Sequence, residues 1–356
     1  MSTCFLTRIA GLACKFIFIA LAFSVFISTS FAAISLEDKF QLTDTVNCDH
    51  PSWSPDGRKI AYSSEQGIWS INADASRSRK LFDALAWDGD PEYNYDGTMI
   101  YFASESKNAF SARYISVHSM GAEGGDIVKL TESADSRSPV ESPDGKKIAY
   151  LSKLSGNYDI WIMDLDGTNK KQLTDEPGDA SSPSWSPDGS KIIYSANGDI
   201  FTIGLDSVRP VQLIADSYDN IDPAYSPDGK LVIFSSDRTG DYDIWMMSSD
   251  ENSFFRATYD ESIQKSPTWC PDGSSFAYVS NEGGEFNIWV KNVYLETVEF
   301  EILDKYTEPE SIERNHYLES IRVFALENPE KFILSVLVIS FISVVSIIYA
   351  FLSRLK

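Results

Sequence analysis

The sequence predicts an all-β fold, a six-bladed β-propeller of four-stranded blades, followed by an apolar C-terminal segment that reads as a transmembrane helix. Three observations carry the propeller. One hexapeptide recurs: SWSPDG at 52–57 and 184–189, with AYSPDG (224–229), TWCPDG (268–273), VESPDG (140–145) and EYNYDG (92–97) as variants. The glycines of these turns are Gly57, Gly97, Gly145, Gly189, Gly229 and Gly273, spaced 40, 48, 44, 40 and 44 residues apart. Such a period marks stacked copies of one supersecondary unit. After each turn comes a strand with no polar face, and a strand apolar on both faces must be covered on both.

Alignment on the glycine shows that strand directly. Three residues on stand Ile60, Ile100, Ile148, Ile192, Val232 and Phe276. Five residues on, every position is aromatic: Tyr62, Phe102, Tyr150, Tyr194, Phe234 and Tyr278. The position between is apolar too: Ala61, Tyr101, Ala149, Ile193, Ile233 and Ala277. A second strand follows in each unit, GIWSI (67–71), RYISV (113–117), DIWIM (159–163), DIFTI (199–203), DIWMM (243–247) and NIWVK (287–291). A turn such as DLDGTN (164–169) then leads to an outer strand such as KQLTD (171–175). With the aromatic-bearing strand before Ser-Pro, each unit holds four short strands, the content of a propeller blade.

The hexapeptide itself reads as a structural turn. Its aromatic packs between blades, Pro presets φ, and Asp-Gly tolerates the positive φ of a tight turn. A sialidase-type acidic box lacks its spacing here. A calcium loop of EF-hand type would need further acids two and four residues on, where several units have Lys or Ile. The propeller is assigned to 51–303, with blades near 51–90, 91–138, 139–182, 183–222, 223–266 and 267–303. FQLTDTVNCDHPSW (40–53) matches KQLTDEPGDASSPSW (171–185), so residues 34–50 are expected to supply a strand that closes the ring. VEFEILD (298–304) is the other candidate for that place.

Both ends differ from the acidic middle. Residues 1–33 have Arg8 and Lys15, the apolar stretch FIFIALAFSVFIS and the small residues TSFAA, the layout of a secretory signal peptide. Residues 332–352 are 21 uncharged, largely apolar residues, about 31 Å of helix and enough to span a bilayer. Arg354 and Lys356 follow, which places the 353–356 tail in the cytoplasm. A processed sorting or lipid-anchor signal is the weaker alternative. Between propeller and span, 304–331 is a juxtamembrane stalk in which Leu318, Ile321 and Phe324 suggest an amphipathic helix. The expected location is therefore outside the cytoplasmic membrane, in the periplasm or extracellular space, held by a single pass.

The formal charge is −22, and removal of the basic 1–33 segment makes it more negative. Nucleic acid and anionic headgroups are repelled by such a surface. Cys4 and Cys14 leave with the signal peptide, and Cys48 and Cys270 remain. Their places in the repeat put them roughly 20 Å apart along the strand direction, too far for a disulfide.

The residues entering each first strand should ring one mouth of the central channel, on a rigid scaffold of the kind that carries binding loops. They include Asp49, His50, Asp88, Asp90, Arg137, Asp219, Asp222 and Lys265, together with Ser138, Ser181, Ser182 and Ser266. Glu141 stands where the other units have Trp53, Tyr93, Trp185, Tyr225 and Trp269. It either turns to solvent, pairs with Arg137 or a Lys, or makes a polar contact near the channel. A solvated acidic rim without a ligand is the bland reading of the whole set. No catalytic residue, cofactor site or metal-ligand spacing stands out: elbow, zincin and phosphate-loop motifs are missing from the sequence.

PSWSPDGSKIIYS (183–195) and GNYDIWIMDLDGTNKKQLTD (156–175) resemble the WD-like repeats of the TolB family, over about residues 40–303. That resemblance implies the propeller fold and a protein partner at a propeller mouth, where TolB receives the peptidoglycan-associated lipoprotein. TolB proper adds an N-terminal domain and has no C-terminal span, so the likeness covers the propeller alone. The expected function is a membrane-anchored, extracytoplasmic, non-catalytic protein-interaction module of the cell envelope. A carbohydrate-active or other hydrolytic propeller using channel carboxylates is the alternative.

Overall fold

Six times the chain leaves a Pro-containing strand, turns at Asp-Gly and returns as a strand that must be buried on both sides. The computed structural model describes residues 32–35, 38–45, 47–64, 67–83, 87–107, 113–132, 134–249 and 254–297. The signal segment up to residue 31, the 298–304 strand candidate, the stalk, the apolar span and the tail lie outside the described residues.

β1 (Ala32–Ser35) and β2 (Lys39–Gln41) come first in the chain. β3 (Asp49–Trp53), β4 (Lys59–Ser64), β5 (Gly67–Asn72) and β6 (Arg79–Asp83) form the first blade. β7 (Asp88–Tyr93), β8 (Met99–Lys107), β9 (Arg113–Gly121) and β10 (Val128–Lys129) form the second. The third is β11 (Ser136–Glu141), β12 (Lys147–Ser152), β13 (Asp159–Asp164) and β14 (Lys171–Gln172). The fourth is β15 (Ala180–Trp185), β16 (Lys191–Ala196), β17 (Asp199–Gly204) and β18 (Val211–Ile214). The fifth is β19 (Asn220–Tyr225), β20 (Leu231–Ser236), β21 (Asp243–Ser248) and β22 (Phe254–Arg256). β23 (Gln264–Trp269), β24 (Ser275–Ser280) and β25 (Asn287–Asn292) make the sixth, and β26 (Tyr294–Thr297) pairs with β1.

The first strands contact one another in a closed circuit, β3 to β7, β11, β15, β19, β23 and back to β3. They are the innermost strands, and they begin two or three residues upstream of limits drawn at Pro. The sixth blade takes β2 as its fourth strand, in the register Lys39↔Lys291, Phe40↔Val290 and Gln41↔Trp289. The N-terminal segment thus closes the ring, as its likeness to the outer strands implied. Thr43 extends the lock, its hydroxyl accepting from the Ile288 amide (2.9 Å).

Double-sided burial is met by six clusters, one at each blade junction. Ile60 and Tyr62 of β4 join Trp53, Ala277 and Val279 between the sixth and first blades. Ala61 points the other way, into a cluster with Tyr93, Ile100 and Phe102 of the second blade. The same alternation repeats around the ring. Trp185 shows the role of the hexapeptide aromatic. It is buried between the third and fourth blades, and its Nε1 donates to the Val140 carbonyl of the preceding blade (3.0 Å). Cys48 and Cys270 are free buried thiols of the first junction. The Cys48 Sγ lies by the Thr45 hydroxyl (3.0 Å), while the Cys270 Sγ sits beneath Gly57.

Each Ser-Pro-Asp-Gly segment is a turn whose polar atoms are spent internally. Asp188 accepts from the Ser186 hydroxyl (2.6 Å) and from the Ser190 amide (3.0 Å). Those bonds hold its carboxyl down at about 2. Gly189 closes the turn at φ 68°, a left-handed conformation that glycine adopts without steric cost. We expect Trp185→Ala to lower stability by about 3–5 kcal/mol through the cavity it leaves, read as a shifted urea midpoint with an unchanged β-type circular dichroism spectrum.

Candidate functional site

Every innermost strand carries an irregularity just before its proline. Pairing slips between Asp49 and Ser52, Gly89 and Glu92, Arg137 and Val140, Ser181 and Ser184, Ile221 and Ala224, and Lys265 and Thr268. In all six the residue before Pro lies at φ between 49° and 54°: His50, Asp90, Ser138, Ser182, Asp222 and Ser266. A bulge of this kind re-aims side chains, and here it brings those of adjacent blades together.

Asp90 accepts from the Ser138 amide (3.0 Å) and hydroxyl (3.1 Å), and its other oxygen lies 3.4 Å from His50 Nε2. Asp222 accepts from the Ser182 hydroxyl (2.6 Å) and the Ser266 amide (3.1 Å). The Ser266 hydroxyl donates to Asp49 (3.3 Å), which also lies 3.4 Å from His50 Nδ1. With Asp49 bridging His50 to Ser266, the six residues before Pro form a ring of hydrogen bonds and ion pairs open between Ser138 and Ser182. His50 has both ring nitrogens facing carboxylates. Enclosure works against its charge, but Asp49, Asp90 and Asp222 together outweigh that and the opposing Arg137, and raise its pKa to about 9. It is a cation at neutral pH.

This geometry corrects the picture of a solvated acidic rim of loop residues. Asp88 and Asp90 are strand residues of β7, only 3% and 7% exposed. The bulge turns Asp90 inward to its neighbours, so its charge is engaged rather than displayed. Asp219, just before β19, donates its backbone amide to the Asp237 carboxylate (2.8 Å) and accepts from the Tyr242 hydroxyl. Arg137 and Lys265 occupy equivalent places on β11 and β23. Arg137 stacks over Tyr158 (4.5 Å) and donates to its hydroxyl (2.8 Å). The Lys265 ammonium lies 4.0 Å over the Tyr242 ring. On β7 the matching residue is Gly89, where a Cβ would come within 2.5 Å of the Trp87 indole. The glycine is what lets that ring lie across the strand.

Glu141 neither turns to solvent nor pairs with Arg137. Half-buried at the junction of the second and third blades, it accepts from the Tyr101 hydroxyl (2.8 Å) and the Tyr95 amide (3.4 Å). Its neighbour in charge is Glu92 of β7, beside the Ser52 hydroxyl. Burial, reinforced by Glu141 and eased by Ser52, pushes the Glu92 carboxyl up to about 7. Glu92 escaped the sequence reading, although the repeat marks it: Ser52, Val140, Ser184, Ala224 and Thr268 fill that place elsewhere. Tyr158 and Tyr242 were legible too, as the Tyr before DIW in two blades. Trp87 sits outside any repeated position and left no signal. Among the described residues no three His, Cys, Asp or Glu side chains gather closely enough to hold a metal ion.

Two successive stability windows follow, both lost as pH rises. Glu92 titrates higher in the folded chain than its ordinary 4.5. Its contribution is therefore fully present below about 4.5 and lost as pH rises through about 7. His50 contributes fully below its ordinary 6.5 and loses that contribution as pH rises through about 9. We expect Glu92→Gln to flatten the fall in urea midpoint between pH 5 and 7, and His50→Gln to flatten it between pH 7 and 9.

The fold and the mouth can be set against known proteins. A family model described as TolB beta propeller domain matches residues 43–198 and 106–312. The Tol-Pal system protein TolB 1 of Novosphingobium aromaticivorans is 42% identical over 60 residues, 16% of this chain and 13% of that protein. The chain spans less than half the length of the curated relatives it matches. A candidate TolB from Agrobacterium tumefaciens superimposes with TM-score 0.57 at 22% identity, over 74% of this chain and 99% of that one. A gluconolactonase from Xanthomonas campestris does so with TM-score 0.58 at 13% identity, over 72% and 89%. These superpositions speak to fold alone. The family model covers most of the chain, and on that ground the protein belongs to the TolB β-propeller domain family.

Proposed function

We propose that this protein is a non-catalytic protein-interaction module, secreted by its 1–33 signal segment and held outside the cytoplasmic membrane by residues 332–352. The observation that carries the reading is how the mouth spends its reactive groups. Ser138, Ser182 and Ser266 donate to carboxylates, and His50 is charged between Asp49 and Asp90. None of these three serines is therefore activated by a neutral base. What the mouth offers instead is Trp87, Tyr158 and Tyr242 at the entries of strands and Arg137 on β11, residue types that dominate interface energetics. The TolB relative, named for the Tol-Pal system, supports a protein partner.

A second reading, a carbohydrate-active or hydrolytic propeller, has one observation in its favour. Glu92 and Glu141 are adjacent carboxyls, and one near 7 suits a general acid. Some structural neighbours are enzymes, the gluconolactonase among them. Against it, two clefts of the propeller are walled by other residues, one around Asp159 and Tyr194 and one around Asp260 and Glu282.

A photo-crosslinking residue at Leu154, exposed in the turn after β12, should yield a discrete protein adduct in native membranes. Polysaccharide depolymerisation by the purified chain, abolished by Glu92→Gln, would replace this reading with the enzymatic one. Protease added outside the cytoplasmic membrane should digest the propeller and spare a tag after Lys356. Protection of both would reverse the topology.

A further inference from the structure

One position of each blade's third strand is fixed by its pairing with the end of the second: Gly67, Ser116, Asp159, Asp199, Asp243 and Asn287. Three of the six are carboxylates, and they are treated differently. Asp243, 2% exposed, has Arg256 as its counter-ion (2.8 Å). Asp199 is only half-buried and accepts from Gln212 (2.7 Å). Asp159 is 4% exposed, and among the described residues its partners are all neutral: the Ser155 hydroxyl, the Gln172 amide (3.0 Å) and the Thr174 hydroxyl (3.1 Å). Gln172 stands where the fifth blade has Arg256, each across from its blade's tryptophan, Trp161 or Trp245. The third blade keeps the buried acid and lacks the arginine.

Beside Asp159, between the third and fourth blades, lies a cavity of about 30 Å³ whose wall includes Thr174, Glu176, Tyr194 and Asn197. A water-sized occupant needs about 10–15 Å³, so a small ion fits and an organic ligand does not. Tyr194 is 2% exposed, and its hydroxyl is buried with no hydrogen-bond partner, a costly state for a polar group. Burial, then the charges of Glu176 and Asp159, push its pKa up, so it meets the cavity as a neutral hydroxyl. Two of the three bonds to Asp159 go to Oδ2 and one to Oδ1, which leaves Oδ1 a lone pair. A water could satisfy the tyrosine but would leave the buried charge unbalanced, and buried charges are paired or bind ions. Oxygen donors suit a hard cation. Glu176 is exposed, so one buried carboxylate sets the balance, and a single positive charge meets it.

We propose that this cavity binds a desolvated alkali cation, sodium or potassium, which bridges Asp159 of the third blade and Tyr194 of the fourth. The ion supplies the positive charge that Arg256 gives to Asp243. Its place in the ring supports the same assignment. The bonds among the residues before Pro are open between Ser138 and Ser182, which belong to these same two blades. A cation at Asp159 ties together the one pair of blades that the mouth leaves untied. The stability of the propeller then depends on which salt is present and not only on ionic strength.

The test is thermal melting of the purified full-length chain in nonionic detergent, with sodium, potassium or tetramethylammonium chloride at one ionic strength. Tetramethylammonium is too large for the cavity. Sodium or potassium should raise the midpoint above it by about 3–5 °C once the ion is tenfold over its Kd, and sodium NMR lines should broaden through exchange with the bound ion. Asp159→Asn and Tyr194→Phe, both near-isosteric, should remove the difference between salts and the broadening. Asp199→Asn, the same position one blade on, should keep both. Gln172→Arg gives the third blade the arginine of the fifth; it should raise the midpoint in tetramethylammonium and abolish the salt response. That variant also decides the matter if Asp159→Asn fails to fold. Equal midpoints in all three salts without sodium broadening would mean that water alone fills the cavity, and they overturn the proposal. So does a full salt response in folded Asp159→Asn or in Gln172→Arg, or a midpoint raised more by equimolar calcium than by either alkali ion.

Discussion

Each blade's second strand has no face it can leave in water, and the architecture is the solution to that constraint. Ile60 and Tyr62 cannot be buried by the sheet that contains them, nor can Ala61 on the opposite side. Only a neighbour on each face removes all three from water, and only a closed ring gives every blade two neighbours. The core is therefore six junctions rather than one centre. Closure matters as much as any contact, because an open ring would expose one junction entirely. β2, arriving from the opposite end of the chain, completes the sixth blade and ties its ends together.

Burial at the junctions leaves the inner strand edges to line the channel. There the chain must bend toward its axis, and the bulge before each proline does so with a left-handed residue six times over. Polar residues at those positions find one another across blade boundaries. The ring of Ser138, Asp90, His50, Ser266, Asp222 and Ser182, with Asp49 as a bridge, is thus a consequence of the repeat, filled in this chain with a particular set of charges. Its acids accept hydrogen bonds within the protein, while Arg137 and Lys265 beside it lie over Tyr158 and Tyr242.

The junction of the second and third blades departs most from the repeat. Glu141 replaces an aromatic and Glu92 replaces a small or apolar residue, so two carboxyls share a place that elsewhere holds none. Tyr101 and Ser52 supply hydrogen bonds that make the substitution tolerable. The result is a junction whose strength depends on pH near neutrality, beside others built from hydrocarbon.

The sequence by itself determined the architecture, because the repeat writes each physical requirement into identifiable letters. Double-sided burial appears as Ile-Ala-Tyr, the tight turn as Asp-Gly, and the closing strand as FQLTD. Six copies make each requirement legible where one would not. It also located the mouth, since the residues before each proline can be counted off. Tertiary structure alone decided what those residues do. Whether Asp90 is displayed or buried, and whether His50 is neutral or charged, depends on side chains from other blades tens of residues away. Among the described residues Arg137 and Lys265 lie over Tyr158 and Tyr242, whereas His50, Arg238 and Arg256 meet carboxylates, and partnership is a property of distance in space. Trp87 lies outside the repeat, and only its backbone geometry shows that its ring lies across Gly89, two residues on. Periodicity specifies which residues share a position; only packing specifies which of them remain unsatisfied.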